Sequence, residues 1–326
     1  MDVPLVGEIE ERRDDDSILW RSLATVKDFT WKYLLLGDVE FRLNYYRSRF
    51  RKKILRTAPV KCREDQRFEV HILTCKRDLL DALWSLKSFY HFNGIDPMLV
   101  VHEDGTFDDI CATTLRDHFP GCKIIRLRDA NREIRSWLKG RRYAIEYRFE
   151  RFMFHSIKLF DFYRYSNADS VMSLDSDLLF FRRSDEVLDH LRNGHAFFMS
   201  DYRSSYSFEP ETLGNKMGMD IITNVNSGLM NLPLKHYDAE LLERFLGLCH
   251  EHDFPHHGWM EQTAHAVLLS KNPCFSHRLS PLHQISFAEH SKDTISHHYV
   301  YDGSRKNIYI VGLKQLRKTK FLRTIS

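Results

Sequence analysis

From Phe68 onward the hydrophobic and polar positions follow two alternating patterns. FEVHILTC (68–75) is a compact apolar run of the kind expected for a strand, and RDLLDALWSLKSFYHFNG (77–94) carries apolar residues at helical spacing up to Gly94. PMLVVHED (97–104), FDDICATTLRDHF (107–119) and CKIIRL (122–127) continue the series as strand, helix and strand. Such alternation predicts an α/β fold with a mostly parallel sheet flanked by helices. Further along, the pattern is less regular, and there is no internal repeat.

Residues 1–66 read differently. SILWRSLATVKDFTWKYLLLGDVEFRLNYYRSRF is helix-like and runs into RSRFRKKILR (47–56), which has six basic side chains in ten positions. The expected organisation is a helical extension over 1–66, a main domain over 67–312 and a basic tail over 313–326. The chain has 326 residues and 43% hydrophobic content, enough for a sizeable core. Its net charge of +3 gives no global field toward nucleic acid. Six widely spaced cysteines with no C-x-x-C pair suit a reducing compartment. The charged start MDVPLVGEIEERRDDD does not read as a signal peptide, and no run of about 18 apolar residues occurs, so a soluble cytoplasmic protein is expected.

The candidate chemistry begins in SVMSLDSDLLFF (170–181), where Asp175 and Asp177 interrupt an apolar run. VMSL reads as a buried strand, and residues two apart in an extended chain point the same way, so both carboxylates can reach one point. Burying two like charges demands a cation or several donors. Ligands of open α/β sheets sit at the carboxyl ends of strands, so the expected compensator is a divalent ion, with oxygen ligands favouring Mg²⁺ or Mn²⁺. An Asp-x-Asp turn capping the next element is the purely structural alternative.

Three further segments add to this. NVNSGLMNLP (224–233) sets Asn226, Ser227 and Gly228 just before an apolar strand, where small polar groups permit close approach of a ligand. HHGWMEQTAHAVLLS predicts a helix from about Trp259 with Glu261 and Gln262 in its first turn. TISHHYVYDGSRKN is a β-like stretch carrying His297 and His298, followed by Gly303, Arg305 and Lys306.

Taken in order from about Phe68 to Lys306, these segments resemble the GT-A (Rossmann-like) glycosyltransferases that use a nucleotide sugar, especially the retaining glycogenin-like and bacterial galactosyltransferase-like enzymes. The resemblance implies that Thr74 and Cys75 lie near the nucleotide base, and that Lys158 in HSIKLFDFYRYS supplies a basic group. It makes Asp175, Ser176 and Asp177 the metal-binding D-x-D, and lines the donor sugar with Asn226, Ser227 and Gly228. Glu261 and Gln262 become the acidic residue followed by Gln, His298 the third metal ligand, and Gly303 and Lys306 the diphosphate contacts. The implied partners are a UDP-sugar and a carbohydrate or glycosylated acceptor. A divalent ion would stabilise the leaving diphosphate, and Gln262 or Glu261 the positive charge on the sugar; in an inverting enzyme Glu261 would be the general base.

Each residue also has a structural reading. Lys158 could be an exposed residue of an otherwise core-forming helix, and Glu261 and Gln262 ordinary first-turn residues favoured by the helix dipole. His297 reads as structural. Cys249, His250, His252, His256 and His257 fit no common zinc spacing, whereas His256, His257 and Trp259 could line an acceptor site. Competing functions are a haloacid-dehalogenase-type phosphatase, with Asp175 as nucleophile and Asp177 as acid/base, and a carbohydrate-binding protein without turnover. Finally, RSRFRKKILR and LKQLRKTKFLR (313–323) concentrate eleven basic side chains, which suits either two solvated tails or docking on an anionic membrane with shallow insertion of neighbouring apolar residues.

Overall fold

The computed structural model describes residues 37–326 except 152, 287, 289 and 301–304. Most of the helix-like stretch before Gly37, and Gly303, therefore lie outside the described residues. In chain order, α1 (Gly37–Tyr45) runs into further helical turns through Arg56. Next come β1 (Glu69–Thr74), α2 (Leu79–Asn93), β2 (Leu99–Glu103), α3 (Asp109–His118) and β3 (Lys123–Ile125), where the pattern predicts them. They are followed by α4 (Leu127–Trp137), α5 (Arg142–Ile145), α6 (Ser156–Tyr165), β4 (Ser170–Leu174), β5 (Leu178–Phe180), α7 (Asp185–Arg192) and β6 (Ala196–Ser200). The remainder is α8 (Pro210–Met217), β7 (Val225–Pro233), α9 (Ala239–Glu251), α10 (Met260–Ser270), β8 (Ser276–Arg278), β9 (His283–Ile285), β10 (Ser296–His298), α11 (Lys314–Lys318) and α12 (Phe321–Thr324).

A seven-stranded sheet, ordered β3-β2-β1-β4-β7-β6-β8, forms the centre. The β1–β2, β2–β3, β1–β4 and β6–β8 pairs are parallel, as strand–helix alternation requires. β7 runs antiparallel to both neighbours, so the sheet is mixed. Side chains alternate between two apolar layers: Phe197 and Met199 of β6 belong to the same layer as Trp84 and Leu99, and Phe198 to the layer of Leu268 on the other face. α2 ends where Gly94 adopts φ +62 and its N–H bonds the carbonyl of Tyr90, a left-handed cap that glycine takes without a Cβ clash. A separate three-stranded sheet, β5-β10-β9, sits beside the main one.

The described part of the N-terminal segment and the C-terminal segment both pack onto α2. Phe50 stacks on Trp84 at 5.7 Å, and the Trp84 indole N–H donates to the carbonyl of Arg51. Arg51 pairs with Asp81 at 2.9 Å, the Tyr309 hydroxyl donates to Asp81, and the Lys87 ammonium donates to Thr57 and to the carbonyl of Ala58. Phe50, Ile54, Leu313, Leu316 and Phe321 are buried in the same apolar cluster as Trp84. Burial of a large aromatic ring is worth on the order of 5 kcal/mol as an upper bound. These apolar residues are therefore core, which corrects the expectation that they could insert into a membrane; Leu55, 43% exposed, remains outside. The charged ends of both segments meet in a groove of about 490 Å³ lined by Lys53, Arg317, Lys318, Lys320 and Arg323. No helix among the described residues is long and apolar enough to cross a membrane.

Candidate functional site

β4 ends at Leu174, and Asp175, Ser176 and Asp177 form the turn into β5, with the Leu178 N–H facing the Asp175 carbonyl. This differs from the expected extended geometry, because the small sheet draws the chain aside at Leu178. The turn is held from three sides. The Asp175 N–H bonds the Gly228 carbonyl, the Ser85 hydroxyl of α2 bonds the Asp175 carbonyl, and the Tyr299 N–H bonds the Asp177 carbonyl. Antiparallel pairing of β10 with β5 sets His298 opposite Leu178. That register delivers the imidazole to the acidic turn.

Nε2 of His298 lies 3.1 Å from Oδ1 of Asp177 and 3.6 Å from Oδ2 of Asp175, and all three residues can present a ligand atom to one ion. Nδ1 of His298 is 2.9 Å from the Asn226 side-chain oxygen, which can only accept, so Nδ1 carries the proton. In the neutral ring Nε2 then turns a lone pair toward two carboxylates, an arrangement that needs either a second proton or a cation. Burial would lower the His298 pKa, but Asp177 and Asp175 outweigh it and the net direction is upward. For Asp177, burial opposes ionisation and His298 reverses it, leaving the carboxyl below its ordinary value. The donor set of two carboxylates and one oriented imidazole fits a divalent ion such as Mn²⁺, with Asn226 as the outer partner that fixes the ring.

Behind the acidic turn is a buried charge network. Lys158 is not solvent-exposed: α6 aims it inward, with Nζ 2.6 Å from Asp175 and 4.0 Å from Glu261. Burial opposes its charge, yet these carboxylates raise its pKa. Glu261 accepts from the Ser227 hydroxyl at 2.8 Å and lies 2.8 Å from Nδ1 of His265. Burial would raise its carboxyl, but Lys158 and His265 hold it well below the usual range. Gln262 accepts from the Asn226 amide and donates to the Ser205 carbonyl and to Asp201. Asn226 thus links Gln262 to His298. Asn226, Ser227 and Gly228 lie within β7 rather than ahead of it.

An open cavity of about 270 Å³ adjoins the turn, bordered by Thr74, Cys75, Lys158, Asp175, Ser176 and Asp177 together with Arg77, Asp78, Phe154, His155 and Arg305. The buried Thr74 hydroxyl has no hydrogen-bond partner among the described residues, and Phe154 is 53% exposed. Lys306 is exposed and does not border this cavity; Arg305 does, its guanidinium 2.6 Å from Asp78 and electrostatically coupled to Asp177. Sequence reasoning named Arg305 without giving it a role, and passed over Arg77, Phe154 and Asp201. Asp201 follows β6, is buried, and burial raises its carboxyl above the ordinary value. Its signal is faint, since a lone aspartate after an apolar strand is common. His297 turns away from the acidic turn, bonding the Ser286 carbonyl and stacking on Tyr299 at 4.3 Å. Of the histidine-rich stretch, His250 faces Glu146 at 2.8 Å, and His256 stacks on Trp259 at 4.8 Å.

No family model matches the chain. No curated protein matches it in sequence. Among solved structures, it is similar to apo xyloside xylosyltransferase 1 of mouse, at 13% identity and TM-score 0.46 over 74% of this chain and 98% of that one. The mannosyltransferase Ktr4p of S. cerevisiae gives 12% identity and TM-score 0.48 over 74% and 79%. Galactosyltransferase LgtC, in complex with donor and acceptor sugar analogs, gives 12% identity and TM-score 0.46 over 79% and 97%.

Proposed function

We propose that this protein is a metal-dependent, retaining glycosyltransferase that moves a sugar from a nucleotide sugar, a UDP-sugar in the first instance, to a carbohydrate or glycosylated acceptor. The observation that carries the reading is the convergence of Asp175, Asp177 and His298 beside a cavity that also presents Lys158, Arg77 and Arg305. Paired carboxylates next to several cations suit a metal–diphosphate better than either a metal or a phosphate alone. In this reading Asp177 and His298 hold Mn²⁺ or Mg²⁺ directly, and Asp175 acts through water or the ribose. When bound, the ion supplies Lewis-acid neutralisation of the charge that builds on the departing diphosphate.

The chain's own residues do the rest. Arg305, Arg77 and Lys158 offer charged donors to phosphate oxygens. Thr74 and Cys75 flank the base, which the exposed Phe154 ring can stack against. Asn226, Ser227 and Gly228 border the donor sugar, and the Gln262 amide faces the positive charge developing on it. Glu261 is a poor general base, because Lys158, His265 and Ser227 together stabilise its ionised form; this favours retention over inversion. Trp259, with His256 and His257, offers an aromatic surface to the acceptor. The basic groove formed by both termini docks the enzyme on an anionic membrane surface by charge alone, bringing it to lipid-linked acceptors.

Mass-spectrometric screening of a nucleotide-sugar panel for donor hydrolysis, with Mn²⁺ and with EDTA, tests the assignment. Release of nucleoside diphosphate in Mn²⁺ alone is the expected result. Turnover of a phosphate monoester but of no nucleotide sugar would replace the reading with a phosphatase.

A further inference from the structure

His190, His195 and His277 come together at the end of the sheet opposite the acidic turn. Ser184 caps the start of α7, and the burial of Val187, Leu188 and Leu191 fixes how that helix lies on the strands, with His190 in its last turn. The chain then turns through Gly194, at φ +63, and reaches His195 just ahead of β6. His277 arrives from elsewhere in the sequence, on the edge strand β8, where it pairs with Phe197 two residues beyond His195. Side chains two apart on a strand share a face, so His195, Phe197 and His277 are set toward α7. The three rings lie with centroids 4.6, 4.8 and 5.6 Å apart, and all are half-buried. Asp201 follows the opposite end of β6, about 17 Å away along a five-residue strand, and β6 runs parallel to β4, so the acidic turn lies toward that same end.

We propose that His190, His195 and His277 form a second metal site, for a borderline divalent ion of the Zn²⁺ class, which staples the edge strand β8 to α7 and β6. One ring nitrogen from each residue lies within 4.8 Å of the others, and Nδ1 of His190 is 3.4 Å from Nδ1 of His195. Tetrahedral zinc with metal–nitrogen bonds of about 2.0–2.1 Å separates its ligand atoms by roughly 3.4 Å. The His190–His195 pair has that spacing already, and His277 needs a small rotation that its exposure permits. Three imidazoles favour Zn²⁺, Cu²⁺ or Ni²⁺ more strongly than two carboxylates and one imidazole do, so the two sites differ in metal preference. Three protein ligands leave a fourth position for water or for a group from a partner. A three-residue edge strand with a bare outer side gains most from such a tie.

The test titrates Zn²⁺ calorimetrically into the full chain carrying His298→Ala, which removes the imidazole of the acidic site, with excess Mg²⁺ present. Co²⁺ visible spectra report tetrahedral geometry in parallel. This parent and its Cys274→Ser derivative should each bind one equivalent tightly, while the His277→Gln and His190→Gln derivatives should bind more than about 100-fold more weakly, beyond the loss typical of outer partners. Circular dichroism without metal should be the same for all four. Unchanged affinity in both histidine variants, or loss of binding in Cys274→Ser, would overturn the proposal.

Discussion

A β-carbon on Gly228 would stand 2.2 Å from Cε1 and 2.5 Å from Nδ1 of His298. The glycine of β7 and the imidazole of β10 therefore occupy one space, and no side chain larger than hydrogen fits between them. Gly228→Ala should push the ring off Asp177 and Asn226 with the sheet intact. Mn²⁺ affinity measured in the presence of UDP should fall by at least ~10-fold, as when an outer partner of a metal ligand is lost. Unaltered affinity would show that the ring is free to move.

Asp177→Asn keeps the shape of the acidic turn and removes one charge. Transition-state stabilisation should drop by at least ~2–4 kcal/mol, or roughly 30-fold or more in rate, with unchanged thermal stability. Single-turnover kinetics on the donor found by screening would measure it. Near-normal turnover, or full activity in EDTA, refutes metal dependence through this residue.

Adjacent residues of a strand face opposite ways, and His297 and His298 do so here. His298→Ala should abolish Mn²⁺ binding in the presence of UDP. His297→Ala should leave it within about twofold and lower the melting temperature instead, since it removes a buried ring stacked on Tyr299. The opposite pattern would reverse the assignment.

Lys87 offers a pH test of packing. Its ordinary pKa of 10.5 is pushed down to about 8 by burial. Between those values the unfolded chain holds more protons than the folded one, so stability rises with pH over that window, by up to about 3 kcal/mol. Below pH 8 the whole penalty is present. The neutral amine still has two hydrogens for Thr57 and Ala58. Urea midpoints at about pH 7.5 and about pH 9.5 should diverge in wild type and converge in Lys87→Met; equal slopes in both would contradict the assignment.

Neutralisation of Arg317, Lys318 and Lys320 to glutamine should release the protein from anionic vesicles. At about 1 kcal/mol per basic residue, the loss is roughly 100-fold in partitioning at low salt. Co-sedimentation with anionic and with neutral liposomes, at low and high salt, measures this. Equal recovery of wild type in every supernatant would rule out membrane docking.

What the sequence disclosed was mainly local. β1 to β3 and their helices follow from apolar spacing within some 60 residues, and Gly94 marks the end of α2 where its backbone turns left-handed. Asp175 and Asp177 are legible because charge inside an apolar run is costly. The β5-β10-β9 sheet was legible only in part: the stretch holding β10 reads as β-like, but the strands are three residues long, too short to leave a period, and β5 pairs with β10 across more than a hundred positions. The buried position of Lys158 escaped for another reason: a basic residue on an apolar helix looks the same whether it meets solvent or a carboxylate. The 190/195/277 grouping is likewise a product of the β6–β8 pairing.

The packing of both chain ends on α2 carries a practical consequence. Ser85 of that helix holds the backbone of Asp175, while Trp84 beside it is covered by Phe50 from one end of the chain and Phe321 from the other. Trimming the protein to begin at Phe68, or to stop before Leu313, would strip an indole bare one residue from the support of the acidic turn. A shortened enzyme would then lose metal affinity through damage to its scaffold with every ligand still present, and its poor turnover would be mistaken for a missing substrate.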